Sequence, residues 1–275
     1  MSGLAYPLVD IGLARRLERV EGHANARFVE ARARVSPELG AAWIEVEGAY
    51  AMFDGVGSPL TQTFGLGAFE PPTAEGLASI EAFFVSRGAG VFHEVSPLAD
   101  AATLGLLNDR GYRPCEFTSV MFRPIASESI PVARSQVVAR PCLPDEHESW
   151  LAAAQQGWSE FPEAVDFMTG FGKVAQAAVD STPFVGTIDG AIVATGSLVM
   201  HGGVALLAGA STVPHARGRG AQRALLEARL QHAIDHGCGL AMMCAAPGGG
   251  SQRNAERQGF RIAYTRVKWQ RQAGR

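Results

Sequence analysis

Ser211-Thr212-Val213-Pro214-His215-Ala216-Arg217-Gly218-Arg219-Gly220-Ala221-Gln222, running straight into Arg223-Ala224-Leu225-Leu226-Glu227, is the stretch around which the chain is organised. It reads as the end of a strand, a basic glycine loop and the start of a helix. A helix start leaves its first backbone N–H groups unpaired and carries a partial positive charge. Gly218 and Gly220 let the chain turn and let a ligand approach the backbone. Arg217 and Arg219 add full charges. Together they predict an anion site, for a phosphate or a pyrophosphate.

Two well-known phosphate loops do not fit. The nucleotide P-loop needs Lys and then Ser or Thr after its second Gly, and here Ala221 and Gln222 follow Gly220. The dinucleotide fingerprint needs a third Gly where this chain has Arg223. The stretch instead resembles the coenzyme A loop of the GNAT N-acyltransferase superfamily, whose pattern is Arg/Gln-x-x-Gly-x-Gly/Ala. Arg217, Gly220 and Gln222 take those three positions, the last as a departure. The loop works through backbone N–H groups, which Gln also supplies, in a tighter space. The competing reading is an Arg- and Gly-rich surface turn before an ordinary helix.

At 275 residues the chain is long for one domain and comfortable for two. Hydrophobic residues make up 47% and charged residues 19%, enough for a sizeable core. A net charge of −3 argues against a general nucleic-acid binder. The scattered cysteines Cys115, Cys142, Cys238 and Cys244 form no Cys-x-x-Cys pair, so neither a zinc site nor a disulfide framework is expected. No basic-then-apolar leader opens the sequence. Gly190 to Val213 carries no charge, but His201-Gly202-Gly203 splits it into two strands rather than one membrane span. A cytoplasmic protein without metal is the expectation.

Along the chain, a helix is predicted from Ile11 to Arg34, then strands at Trp43–Val46, Tyr50–Phe53 and Leu60–Leu66. Thr73 caps a helix ending at Gly88. A strand at 89–95, a helix at 98–109 and a strand at 117–122 follow. Residues 126–135 read as a linker. The order of elements then restarts: strand 137–140, helix to Gln156, a mixed segment from Trp158 to Ala178, strands 184–188, 192–200 and 204–213, and the glycine loop. Helix 221–236, apolar strand 240–245, helix 251–258 and strand 262–270 complete it.

The two ends echo each other. Asn108-Asp109-Arg110-Gly111-Tyr112-Arg113 and Asn254-Ala255-Glu256-Arg257-Gln258-Gly259-Phe260-Arg261 each give helix, Gly stop, aromatic, Arg and strand. Gly220 precedes Gly259 by 39 residues, and the same offset from Gly111 reaches Pro72. That counterpart holds two prolines without N–H donors and the carboxylates Glu70 and Glu75, a poor cradle for pyrophosphate. The expected fold is α+β: two GNAT-like domains, each a mostly antiparallel sheet with a central parallel strand pair, flanked by helices. Residues 1–125 are the degenerate copy without a coenzyme loop, and 136–275 the coenzyme A-binding one.

The resemblance implies transfer of an acetyl group from acetyl-CoA, as co-substrate, to a primary amine of a small molecule or a peptide amino-terminus. The strand edge with Ser211, Thr212 and Val213 would pair with pantetheine. The N–H groups of Gly218, Arg219, Gly220, Ala221 and Gln222, with the Arg217 and Arg219 side chains, would hold the pyrophosphate. An N–H near Val213 would polarise the thioester carbonyl. Ser251 and Asn254 would meet the coenzyme arm, Ser251 reading equally as a helix cap. The catalytic acid and base are unknown. The family often places a Tyr where this chain has Ala255. Tyr264 and Cys244 read as core, Glu160, Glu163 and Asp166 as an acidic face over the acceptor pocket, His201 as exposed, and His215 as a neighbour of the loop. The N-terminal half would shape the acceptor pocket or a homodimer surface. The reading from another class is a sensor that binds CoA or another phosphate ligand without turnover.

Overall fold

A computed structural model of the protein describes residues 5–126, 136–160, 174, 175 and 177–271. In chain order, besides short 3-10 turns, its elements are α1 (Ile11–Val35), β1 (Ala42–Val46), β2 (Ala49–Phe53), β3 (Gln62–Phe64), α2 (Ala74–Val85), β4 (Phe92–Val95), α3 (Ala102–Asp109), β5 (Tyr112–Pro124), β6 (Val138–Pro141), α4 (His147–Trp158), β7 (Ser181–Ile188), β8 (Ala191–His201), β9 (Val204–Thr212), α5 (Ala221–Asp235), β10 (Leu240–Ala245), α6 (Gly250–Arg257) and β11 (Arg261–Arg271). From residue 127 on, the expected linker lies outside the described residues, as do Glu163 and Asp166.

By its contacts the chain divides into two units. The N-terminal unit is Pro7–Met121 with Cys244–Glu256 and Phe260–Arg275, and the central unit is Met1–Tyr6, Phe122–Met243 and Arg257–Gly259. In the N-terminal unit the strands run β1-β2-β3-β4-β11-β5. β3 and β4 are parallel, while β1–β2, β2–β3 and β4–β11 are antiparallel. In the central unit they run β10-β9-β8-β7-β6, with β9 and β10 parallel and the others antiparallel. Both units therefore combine antiparallel pairings with a parallel pair, the mixed sheet that the sequence led us to expect.

Asp10 starts α1 by accepting the Leu13 N–H at 2.8 Å. The helix buries Leu13, Leu17, Val20 and Val29, each contributing about 1.5–3 kcal/mol by leaving water. Gly22 sits mid-helix despite a propensity cost of about 1 kcal/mol. A Cβ there would meet the Tyr50 ring at 2.7 Å, so the close approach of α1 to β2 requires it. In the central unit the alternation of β7 sorts its two layers. Val185 packs with Trp150 and Ala154 of α4, while Phe184 packs edge-on to His232 of α5. Among the described residues no helix is long and apolar enough to cross a membrane, and no group of His, Cys, Asp or Glu is placed to hold a metal ion.

The N-terminal unit also buries charge. Arg266 of β11 is 1% exposed, ion-pairs with Glu21 and lies 3.4 Å from Glu18, both on α1. The Tyr264 hydroxyl donates to Glu18 at 2.8 Å. Burial pushes the Glu18 carboxyl up to about 7, against the pull of Arg266. The folded chain thus holds a proton that the unfolded chain releases above 4.5. Stability from this group is full at low pH and lost as pH rises through 7, by roughly 3 kcal/mol. Melting temperatures from pH 4.5 to 8 check this: the wild type should fall relative to Glu18→Gln across that window, and parallel curves would refute it.

Candidate functional site

The site grows out of the end of β9. β9 pairs with β10 only through Val204, Ala205 and Leu206, opposite Leu240, Ala241 and Met242. From Leu207 to Thr212 its β10-facing edge has no strand opposite among the described residues. On its other edge Ala208 faces Ser197 of β8, yet Ser211 faces Thr195, so Gly209 and Ala210 together oppose Gly196. This is a β-bulge, and Gly209 adopts φ 59°, in the left-handed region that glycine favours. Ala208 and Gly209 are exposed and Ala210 half-buried. The sequence reading placed its pantetheine edge at Ser211, Thr212 and Val213, just past this bulge. A glycine inside a strand is the available signal for a bulge.

After Thr212 the chain leaves the sheet. The Val213 N–H donates to the Val193 carbonyl at 2.9 Å. It is spent on the sheet, so a polarising N–H near Val213 would have to come from a neighbouring residue. Pro214–Ala216 form a 3-10 turn, Arg217 is extended, and Gly218 and Gly220 take φ 75° and 83°. Gly220 is the N-cap of α5 and has no side chain to cap it. No protein acceptor meets the backbone N–H groups of residues 218 to 223 among the described residues. This is the bare helix start that an anion needs.

The side chains around the loop are engaged. Arg217 donates to the Thr212 carbonyl at 3.3 Å, the Gly157 carbonyl at 3.3 Å and Glu160 Oε2 at 2.5 Å. Arg219 donates to Gln136 Oε1 at 3.2 Å. Gln222 turns back to the Thr212 hydroxyl at 2.7 Å, and Ser211 exchanges a hydrogen bond with Thr195 at 3.0 Å. Gly157 lets α4 lie against this strand end: a Cβ there would run into the Ser211 hydroxyl and reach the Thr212 nitrogen at 3.2 Å. Glu160, expected over an acceptor pocket, is thus the Arg217 counter-ion.

The remaining expected residues fall elsewhere. Ser251 is the second residue of α6, so it is not the helix cap, and both Ser251 and Asn254 are exposed and belong to the N-terminal unit. Gln252, in the first turn of α6, accepts the Gly248 N–H at 2.9 Å. Ala255 is buried. Tyr264 is buried with Glu18, and burial raises its hydroxyl well above the usual range. The Cys244 thiol donates to Glu21 at 3.3 Å, and burial likewise raises it. Neither is a reactive group. His201 is half-buried as the last residue of β8 rather than exposed in a turn, and His215 is exposed beside the loop.

The counterpart junction in the N-terminal unit is closed from within. Thr73 caps α2 by accepting the Gly76 N–H at 2.9 Å. Glu47, at the β1–β2 turn with φ 52°, accepts the Thr73 N–H at 3.0 Å and its hydroxyl at 2.6 Å. A Cβ on Gly76 would come within 2.5 Å of that carboxylate. Glu70 and Glu75, the carboxylates the sequence pointed to, are exposed; the one that fills the helix start comes from 26 residues before Thr73.

Residues 144–260 match the model of the Acetyltransferase (GNAT) family. Among solved structures, the chain is similar to a GCN5-related N-acetyltransferase from Kribbella flavida, with a TM-score of 0.61 and 20% identity over 90% of this chain and 96% of that one. A GCN5-related N-acetyltransferase from Sphaerobacter thermophilus gives 0.58 and 18% over 82% and 78%. A tandem GNAT protein from the clavulanic acid biosynthesis pathway gives 0.54 and 14% over 73% and 70%. These identities speak for a shared fold. No curated protein matches the chain in sequence.

An exposed ion pair is worth up to about 1 kcal/mol. Any anion drawn to Arg217 must compete with Glu160. Glu160→Gln should therefore tighten inorganic pyrophosphate binding, measured by titration calorimetry, by about two- to fivefold. Unchanged or weaker binding would show that Arg217 takes no part.

Proposed function

We propose that this protein is an N-acyltransferase that moves an acetyl group from acetyl-CoA to a primary amine. The observation that carries the reading is the run of backbone N–H groups from 218 to 223, opened by Gly218 and Gly220 and without acceptors among the described residues, directly after a strand whose edge from Leu207 to Thr212 is likewise unpaired among them. The first suits a pyrophosphate and the second an extended chain of amides, and coenzyme A carries both. The match of residues 144–260 to the acetyltransferase family supports it.

In this reading the Gly209–Ala210 bulge takes the carbonyl-polarising role that Val213 cannot. The amine lone pair forms the C–N bond while the carbonyl π pair moves to oxygen. The oxyanion collapses, the C–S bond breaks, and its electron pair leaves on sulfur. The proton shed by nitrogen balances the thiolate, giving amide and free CoA thiol. Backbone N–H groups directed at the developing oxyanion are worth about 10²- to 10³-fold in rate. The N-terminal unit binds no second coenzyme in this reading, because Glu47 already occupies its helix start.

A second reading is a coenzyme-binding sensor without turnover. The buried Ala255 favours it, since it supplies no proton for the departing thiolate.

Titration calorimetry with acetyl-CoA tests the first reading. Binding should weaken at least about tenfold in Arg217→Ala with Arg219→Ala, as charged hydrogen bonds to phosphate are lost. No binding, or binding indifferent to both changes, sinks it. Thiol release across a panel of amines separates the enzyme from the sensor, and tight binding with no release on any amine selects the sensor.

A further inference from the structure

The apolar stripe of α5 is broken by one charge. Leu225, Arg229 and Ala233 lie at helical spacing on the face turned to the sheet, and Arg229 is 3% exposed. Its guanidinium donates to the Leu225 carbonyl at 3.2 Å, to the Ser197 carbonyl at 3.1 Å and to the Ala208 carbonyl at 3.3 Å. Ser197 and Ala208 are the last strand pair before the bulge. Gly196, the one residue opposite the bulge, lies under the guanidinium: a Cβ there would meet it at 3.0–3.1 Å. Among the described residues no carboxylate pairs with Arg229. Burial lowers its pKa only to about 10, so it stays cationic at neutral pH.

An unpaired buried cation is costly, and an apolar residue on the same stripe would carry no such penalty. What the arginine supplies is twofold. It satisfies carbonyls at a place where the ladder is disrupted, which fixes the shape of the bulge. It also brings a positive charge to the Ala208 carbonyl, which shares its peptide unit with the Gly209 N–H, in a setting of low dielectric.

We infer that Arg229 is a positioning residue of the acyl-transfer site, holding the Gly209–Ala210 bulge in shape and setting a positive charge behind the N–H groups that polarise the thioester carbonyl. This rests on the acetyl-CoA reading above. It assigns to a residue outside the loop, and out of contact with solvent, the tuning of the carbonyl-binding groups.

The test reads the carbonyl itself and needs no acceptor. The infrared band of [1-13C]acetyl-CoA is compared free and bound, and CoA affinity is measured in parallel. In the wild type the bound band should move to lower frequency. Arg229→Gln keeps two N–H donors and removes the charge. It should bind CoA within about threefold of wild type, because the pyrophosphate loop is intact, and lose most of the band shift. Gly196→Ala, whose added methyl presses on the guanidinium, should reduce the shift in the same direction. It carries the test if Arg229→Gln does not fold. A full shift in both variants overturns the role of Arg229 and leaves the coenzyme reading standing. A wild type that binds acetyl-CoA without any shift overturns the polarising bulge and Arg229 together. A wild type that does not bind acetyl-CoA overturns the coenzyme reading itself.

Discussion

β9 stops pairing with β10 after Leu206, and the organisation of the central unit follows from that divergence. Backbone N–H and C=O groups seek partners, so an edge released inside a sheet is an open invitation to an extended ligand. The bulge at Gly209 and Ala210 re-aims the released segment, as bulges beside functional sites commonly do. Gly157 lets α4 close over the Ser211–Thr212 end, and Arg229 secures the other face of the distortion. The loop that follows keeps its N–H groups free of acceptors among the described residues, and its helix cap, Gly220, has no side chain to supply one.

The N-terminal unit handles charge differently. Three carboxylates, Glu18, Glu21 and Glu94, surround the buried Arg266, which lies 4.0 Å from Glu94. Burial raises both Glu18 and Glu94, against the opposing pull of Arg266. Desolvation, more than pairing, sets the state of these groups. Such a cluster specifies which faces of α1 and β11 meet, since any other register would strand an ion in the core.

The elements were legible because each carries its own local signal. The Thr73 cap and the Gly88 stop both act within a few residues. The loop was legible for the same reason, and Gly218 and Gly220 take the backbone angles that made them worth singling out. What escaped was set by distant partners. The Val213 N–H is consumed by Val193 and Gln222 by Thr212, and neither pairing leaves a trace in the local sequence. The place of β11, between β4 and β5, depends on pairing across more than 100 residues. Arg229 left a clue, a charge in the middle of an apolar stripe, but its meaning needed the bulge beneath it.

Glu47 shows what it means for a helix start to hold an anion of its own chain. A tethered carboxylate acts as an intramolecular ligand, present at an effective concentration on the order of millimolar or above. An external phosphate therefore meets a competitor that can be neither diluted nor washed away. A helix start filled in this way holds its anion as a permanent resident rather than a visitor. The helix keeps its dipole satisfied, and the unit is free to be judged on its packing alone.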